Sequence, residues 1–301
     1  MNDTLPAAVA ASMTRRMRIA RAVLLLTSAA LASATGACRT PATDDTNGSP
    51  AAVATVTTTT ANAGAAPSPK AAKRKKPRPP RPPEHHSPGP EALARKARSE
   101  TRLKSEGVLT NAELPVIDSA AEANLRTADA IVERALALLV VALKGEGVEQ
   151  ARILETRDKL GAAAFLSPDE KDFVDDASSS AKDKAQFGWR YEGLGVMLWA
   201  LGFDAALPRP SKIVDAERLV KLVTSRGAAA LRAEAKPRSP KEILDATDLA
   251  YRYDWACVAA RMSSEPAPKD VDCEIVLERH RALNWLIGYQ RQAWDDVSTD
   301  T

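Results

Sequence analysis

The sequence predicts an all-α fold for the part of this 301-residue chain that forms a globular domain. Apolar residues from Leu125 to Leu143 recur at i, i+3 and i+4 spacing, which is typical of a helix. A serine N-cap, a proline at the first helical position and an acid at the third occur together at Ser167 and again at Ser239. No segment shows convincing alternation with the period of two that marks a strand. We therefore expect one helical domain over residues 91–301.

Start and stop signals divide this domain into about eight helices. Ser119 and Glu122 have the spacing of a capping box, which predicts that a helix begins there, and we expect Gly145 to end it. From Ala135 to Leu143 this helix is apolar on every side, so we expect it to be central. The predicted helices span 91–105, 119–144, 148–160, 168–176, 180–201, 215–232, 240–263 and 271–287.

Residues 1–38 have the pattern of a secretory signal peptide. Four arginines precede Ala22, and an apolar run continues from there to about Ala34. This run is shorter than the ~20 apolar residues that a membrane-spanning helix needs. We therefore expect export from the cytoplasm rather than a transmembrane anchor.

Cys38 is the candidate for lipid attachment. Gly36-Ala37-Cys38 resembles the end of the lipobox of bacterial lipoproteins, in which the cysteine becomes the lipidated first residue, although Thr35 departs from the usual leucine. Because Arg39 rather than aspartate follows, this resemblance implies the outer membrane, with the domain facing the periplasm. The alternative is cleavage after Ala34 at an A-x-A site, which would release a soluble periplasmic or secreted protein.

Residues 39–90 are expected to form a disordered linker, because they are mainly Ala, Thr, Pro, Ser and Gly and contain no aromatic residue. Within this linker, Lys70–Pro83 alternates cations with prolines, which favours an extended chain. The stretch is a candidate for contact with anionic lipid or cell-wall polymer, and the alternative is a solvated spacer. His85 and His86 have no other ligands near them in the sequence, so we expect no metal site there.

The net charge of +3 does not indicate nucleic-acid binding. Residues 91–301 contain 30 basic and 35 acidic residues, so the predicted domain is mildly acidic and the excess positive charge precedes it. We expect no nucleic-acid partner. The chain also lacks a nucleophile elbow, metal-ligand spacing and a phosphate-binding loop, so we expect neither a cofactor nor a metal.

A series of short segments in the domain is distinctive. They are Leu166–Glu170, Trp189–Glu192, Leu198–Gly202, Glu242–Asp245, Asp248–Arg252, Glu278-Arg279, Ala282–Leu286 and Trp294–Thr301. In this order and spacing they resemble the bacterial domain-of-unknown-function family 4272, over roughly residues 95–301. The resemblance implies a helical domain, and it implies no activity.

Two polar residues lie in apolar stripes of the predicted helix at 180–201. At 100° per residue, Glu192 falls within the stripe of Trp189, Val196 and Trp199. Arg190 falls in a different stripe, about 160° away. A buried charge without a partner is costly, so each residue needs a partner from another helix.

The last two predicted helices carry four more candidates. Asp248 and Arg252 lie at the edge of an apolar stripe, at the i, i+4 spacing that allows them to pair. His280 lies within the stripe of the last helix, and Asn284 flanks it.

Two hypotheses follow for these residues. In the first, the domain is an envelope enzyme in which they gather around one cleft, with Glu192 or His280 as the acid–base candidate and the arginines binding an anionic group. Its members are Arg190, Glu192, Asp248, Arg252, His280, Asn284 and Asp295. In the second, they are hydrogen-bonded contacts that fix helix register, in a non-enzymatic module that binds an unknown protein partner. The second is our prediction, and the enzyme is the alternative.

Cys257 and Cys273 are candidates for a disulfide, because they form an even pair in a chain that we expect to be exported. They lie on consecutive predicted helices at similar distances from the turn near Pro266. Against a bridge, Cys257 lies about 140° from the core stripe of its helix.

Overall fold

The structure is a computed structural model that describes residues 88–301. The signal segment, Cys38, His85-His86 and the basic stretch Lys70–Pro83 lie outside the described residues. Residues 88–301 contain helices and no strand, which confirms the all-α prediction. The α-helices are α1 Pro90–Ser105, α2 Ala128–Gly145, α3 Gln150–Lys159, α4 Pro168–Asp175, α5 Ala181–Gly188, α6 Arg190–Ala200, α7 Ala216–Glu234, α8 Pro240–Met262 and α9 Cys273–Leu286.

Helix α2 lies at the centre of the domain, as its all-round apolar sequence predicts. Every residue from Ala135 to Ala142 is fully buried. The helix packs against α5, α6 and α7, which together cover its central turns. At its end, a Cβ on Gly145 would lie 2.3 Å from the backbone nitrogen of Gly188, so only glycine allows α5 to approach this closely.

Helix α8 connects the other large elements, because it packs against both α9 and α1. It begins at the predicted capping box. The Glu242 amide donates to the Ser239 hydroxyl (3.3 Å), and the Ser239 amide donates to the Glu242 carboxylate (3.0 Å). None of the helices within residues 88–301 combines the length and hydropathy needed to cross a membrane.

The predicted start of the second helix at Ser119 is wrong. The Glu122 carboxylate accepts from the Ser119 amide and hydroxyl, which is only half of a capping box. Only a turn follows, and α2 begins after Thr127. The intervening amides of Asn124 and Arg126 donate instead to the carbonyls of Ile287 and Leu286 at the end of α9. Tertiary hydrogen bonds thus replace the helical ones that the local pattern favours.

The predicted helix at 180–201 is divided at Trp189 into α5 and α6. The Trp189 amide donates to Gln186, and the Glu192 amide donates to Trp189, so both bonds span three residues rather than four. Such tightening is typical of a short 3₁₀ turn. It interrupts the regular α-helical hydrogen bonds immediately before the two polar residues of α6.

Cys257 and Cys273 form a disulfide, with their Cα atoms 5.7 Å apart. The helical-wheel argument against this bridge fails because α8 is buried on two sides. A second apolar cluster lies on the side of Cys257, made by Leu103, Val108, Tyr253, Ala256, Cys257, Val271 and Val276. The bridge joins α8 to the start of α9 inside this cluster, at a sequence separation of 16.

We expect the disulfide to stabilise the domain measurably. Replacing Cys257 and Cys273 together by serine should lower the free energy of unfolding by about 3 kcal/mol, because the bridge closes a short loop in the unfolded chain. Urea denaturation with and without dithiothreitol measures this, and reduced wild-type protein should match the double variant. Equal midpoints for oxidised and reduced wild type would contradict the assignment.

Candidate functional site

Two adjacent residues of α9 pair with two nearly adjacent residues of α6. The Arg190 Nη1 donates to both oxygens of Glu278, at 2.7 and 2.6 Å. The Arg279 Nε donates to the Glu192 Oε2 at 3.0 Å. Each polar residue of α6 therefore has the partner on another helix that its position in an apolar stripe requires.

The Glu192–Arg279 pair is deeply buried, with side-chain exposures of 2% and 6%. At such depth an ion pair gains little net stability, but removing one partner leaves an uncompensated charge. The pair therefore acts mainly as a geometric constraint, because α6 and α9 can pack only in a register that keeps these two groups together.

The same two side chains also hold the segment that connects α6 to α7, residues 201–215, which we call the connection. The second carboxylate oxygen of Glu192 accepts from the Val214 amide at 2.8 Å. The Arg279 Nη1 donates to the Pro208 carbonyl at 2.7 Å. One buried ion pair thus fixes the middle and the C-terminal end of a segment that has no regular secondary structure.

An apolar groove lies between the connection, α8 and α9, with a cavity volume of about 320 Å³. It is lined by Arg102, Trp199, Ala205, Ala206, Leu207, Pro208, Pro210, Glu242, Asp245, Ala246, Leu249, Ala250, Tyr253, Val276, Arg279 and Leu283. Most of these are apolar, and a mainly apolar lining with a few polar groups is characteristic of small-molecule sites. We refer to this cavity below as the groove.

Tyr253 joins the groove to the end of α1. Its hydroxyl donates a short hydrogen bond to the Glu106 carboxylate, and the Arg209 Nε lies 3.2 Å from the same carboxylate. Burial and the bond to Glu106 raise the pKa of Tyr253 above its ordinary range. The phenol therefore stays neutral and donates to the carboxylate at physiological pH.

Glu192 and Arg190 line two different cavities, both distinct from the groove. A cavity of about 730 Å³ is lined by Glu192 and Arg279, together with residues of the connection. A different cavity of about 400 Å³ is lined by Arg190, Glu278 and Arg281. The two candidates on α6 therefore face different cavities.

Asp248 and Arg252 form a buried pair within α8. The Arg252 Nε and Nη2 donate to the two carboxylate oxygens of Asp248 at 2.9 and 2.8 Å. The Nη2 also donates to the Pro115 carbonyl, and Nη1 lies 3.5 Å from Glu100 of α1. These contacts join α8 to α1 and to the segment that follows it.

His280 has a different partner from every other candidate. Its Nδ1 lies 2.8 Å from the Asp254 carboxylate, inside the domain, and its ring lies against Tyr251 with centroids 5.9 Å apart. Both His280 and Asp254 are buried. The pair connects α8 with α9.

The Trp294 side chain anchors the C-terminal tail, and it packs between Trp285 and two arginine side chains. Trp294 is buried and meets Trp285 edge-to-face, with centroids 5.8 Å apart. The guanidinium carbons of Arg134 and Arg281 lie 4.8 and 5.3 Å from the Trp294 ring centroid, within the range of cation–π attraction.

Asn284 and Asp295 fasten the same tail by hydrogen bonds. The Asn284 Nδ2 donates to the Ser298 carbonyl at 2.9 Å, and the Asp295 carboxylate accepts from the Asp169 amide at 3.1 Å. This places the Asp295 charge at the N-terminus of α4, where the helix dipole favours it. Its negative charge raises the pKa of the Asp169 carboxyl.

The structure does not bring the seven predicted site residues around one cleft. They occupy separate contacts: Glu192 bonds to Arg279 and to the Val214 amide, whereas His280 bonds to Asp254. Their arrangement is that of contacts between elements.

Sequence reasoning missed the residues that complete these pairs, above all Arg279, Glu278 and Asp254. Arg279 follows Val276 by three positions and precedes Leu283 by four, so it lies on the apolar stripe of α9. That position on the apolar stripe predicts that the arginine is buried and needs a partner of opposite charge. The choice of Glu192 as that partner depends on how α6 and α9 pack.

The sequence profile of a family described as domain of unknown function 4272 (DUF4272) matches residues 95–297. The chain belongs to the DUF4272 family. Neither the curated proteins nor the solved structures gave a match. In this DUF4272 domain, two of the segments that carry the resemblance, Trp189–Glu192 and Glu278-Arg279, meet in the paired contacts between α6 and α9.

We expect strong energetic coupling within the Glu192–Arg279 pair of this DUF4272 domain. Glu192→Leu and Arg279→Met should each lower the free energy of unfolding by about 3–5 kcal/mol, because each leaves a buried charge unpaired. The double variant should lose far less than the sum. Urea denaturation of all four proteins gives the coupling energy.

The exposed pair of Lys171 and Asp175 on α4 is the matched control for this cycle. Its two side chains are 62% and 39% exposed, so replacing both should reveal a coupling of less than about 1 kcal/mol. Additive losses at Glu192 and Arg279 would contradict the assignment of a buried, coupled pair.

Proposed function

We propose that this chain is an exported, lipid-anchored protein of the cell envelope and that its helical domain is a non-enzymatic binding module. The lipid is attached at Cys38, and the domain faces the periplasm from the outer membrane. The observation that carries the proposal is the secretory pattern of residues 1–38, which ends in Gly36-Ala37-Cys38.

The disulfide between Cys257 and Cys273 supports export independently of the signal. Disulfides persist in oxidising compartments and are rare in the cytosol, where thiols are kept reduced. A bridge within an apolar cluster fits a domain that folds after it has left the cytoplasm.

The separate pairing of the polar residues supports a binding role. An enzyme that used Glu192, His280, Arg190 and Arg252 would need them to converge on a substrate, whereas each has its own partner. The groove between α8, α9 and the connection supplies a concave, mainly apolar surface instead. A protein in the envelope is the partner class that we propose for the module as a whole.

The basic stretch Lys70–Pro83 supplies a second contact in this proposal. Its cations would rest on anionic lipid or cell-wall polymer, since each cation near a charged surface contributes about 1 kcal/mol. The domain itself is mildly acidic, so the same anionic surface would repel it. We propose no nucleic-acid partner.

The lipid anchor can be tested at Cys38. In a bacterial host with lipoprotein processing, the wild-type chain should fractionate with membranes, and its mature N-terminus should be a lipidated Cys38. Cys38→Ala should move the chain to the soluble fraction without preventing export. Mass spectrometry of the N-terminal peptide, with cell fractionation, provides both readouts.

Thr35→Leu is the matched control, because it brings the segment closer to the usual lipobox and should keep the anchor. A wild-type protein that begins unmodified at Thr35 would refute lipidation. Wild-type protein that retains its whole N-terminal segment in the cytoplasm would refute export as well.

A further inference from the structure

The charged side chains that line the groove balance one another, and each has a partner of opposite charge. Two of the four are arginines and two are acids, so the lining carries no net charge. The pairs are Arg102 with Glu106, Glu242 with Arg238, Asp245 with Arg98 and Lys241, and Arg279 with Glu192. The remaining nitrogen of Arg279, Nη2, is excluded from solvent and so is not available to a molecule in the groove.

The backbone of the connection adds little polarity to its wall of the groove. Pro208 and Pro210 both line the groove, and a proline has no amide hydrogen to donate. Their carbonyls already accept hydrogen bonds, from the Arg279 Nη1 and from the Asp272 amide, both at 2.7 Å. This wall therefore presents mainly hydrocarbon.

The other walls are aromatic and aliphatic. Trp199, Leu249 and Leu283 contribute apolar side chains, and the Tyr253 hydroxyl is already bonded to Glu106. A dry cavity of about 150 Å³ is large enough to bind benzene. The groove, at about 320 Å³, has roughly twice that volume and suits a molecule of about two fused rings.

The pairing of charges determines which molecules the groove can accept. A charged molecule would lose hydration on entering and would find no free group of opposite charge, which is costly. An uncharged apolar molecule loses little, and it removes its own surface and that of the walls from water. The lining is thus complementary to an uncharged ligand.

We propose that the groove binds a small uncharged aromatic molecule, with its rings against Trp199, Leu249 and Leu283. The inference goes beyond the protein-binding role proposed above, and neither depends on the other. It is also independent of export and anchoring, which the Cys38 experiment tests separately.

The probe is 2-naphthol, which has two fused rings and is uncharged at pH 7. Amide chemical shifts of the mature chain with Cys38→Ala, which carries no attached lipid, should change saturably with 2-naphthol. The largest changes should lie at Ala246, Leu249 and Ala250 on the α8 side of the groove. The anion 2-naphthoate and the cation 2-naphthylmethylammonium carry the same rings and should bind about tenfold more weakly or less, because their charges find no partner.

Ala246→Phe fills the groove from α8 and should abolish binding of 2-naphthol. Ala259→Phe is the matched control, because Ala259 lies on the same helix, is also half-buried and is outside the groove lining. This control should bind 2-naphthol as the wild type does. Thermal unfolding of each variant shows whether it is folded, and the location of the shift changes in the wild type decides the question if Ala246→Phe does not fold.

Four results would overturn the inference. They are no saturable change at millimolar 2-naphthol, equal affinity of the wild type for 2-naphthol and either charged analogue, shift changes centred away from the groove, and wild-type affinity in folded Ala246→Phe. Each would remove the ligand while leaving the protein-binding proposal to be tested by partner capture.

Discussion

The packing of this domain depends on keeping buried charge paired between α6 and α9. Arg190 and Glu192 lie on opposite sides of α6, and each pairs with a residue of the adjacent pair Glu278 and Arg279 on α9. Because an unpaired buried charge costs several kcal/mol, sliding one helix past the other is strongly disfavoured. Hydrophobic burial around α2 provides most of the driving force for folding, and the ion pairs select one arrangement of the helices that surround it.

The groove follows from the same constraint. Glu192 and Arg279 also fix Val214 and Pro208, so the irregular connection has a defined path, and that path forms one wall of the groove. The disulfide and the bond from Tyr253 to Glu106 order the neighbouring second apolar cluster, next to α1. A concave surface is thus built from an irregular segment that rigid elements hold in place.

Much of the fold could be predicted from local patterns, because helix caps and apolar spacing act over a few residues. The capping boxes at Ser167 and Ser239 are present, and α2 ends at Gly145 as expected. The start of α2 could not be predicted, because the amides of Asn124 and Arg126 bond to the distant end of α9. The helical-wheel argument for α8 was wrong about Cys257, because a single apolar stripe cannot describe a helix that is buried on two sides.

At the site, the need of Arg190 and Glu192 for partners was predictable, whereas the identity of those partners is a property of tertiary packing.

Residue-level amide hydrogen exchange at Val214 tests the central claim most directly. If the Glu192–Arg279 pair holds the connection, the Val214 amide of the wild type is protected although it lies outside any helix. In a double variant with Glu192→Leu and Arg279→Met, which leaves no unpaired charge, its exchange should approach that of an unstructured chain while the amides of α2 stay protected. Equal protection of Val214 in the two proteins would contradict the account.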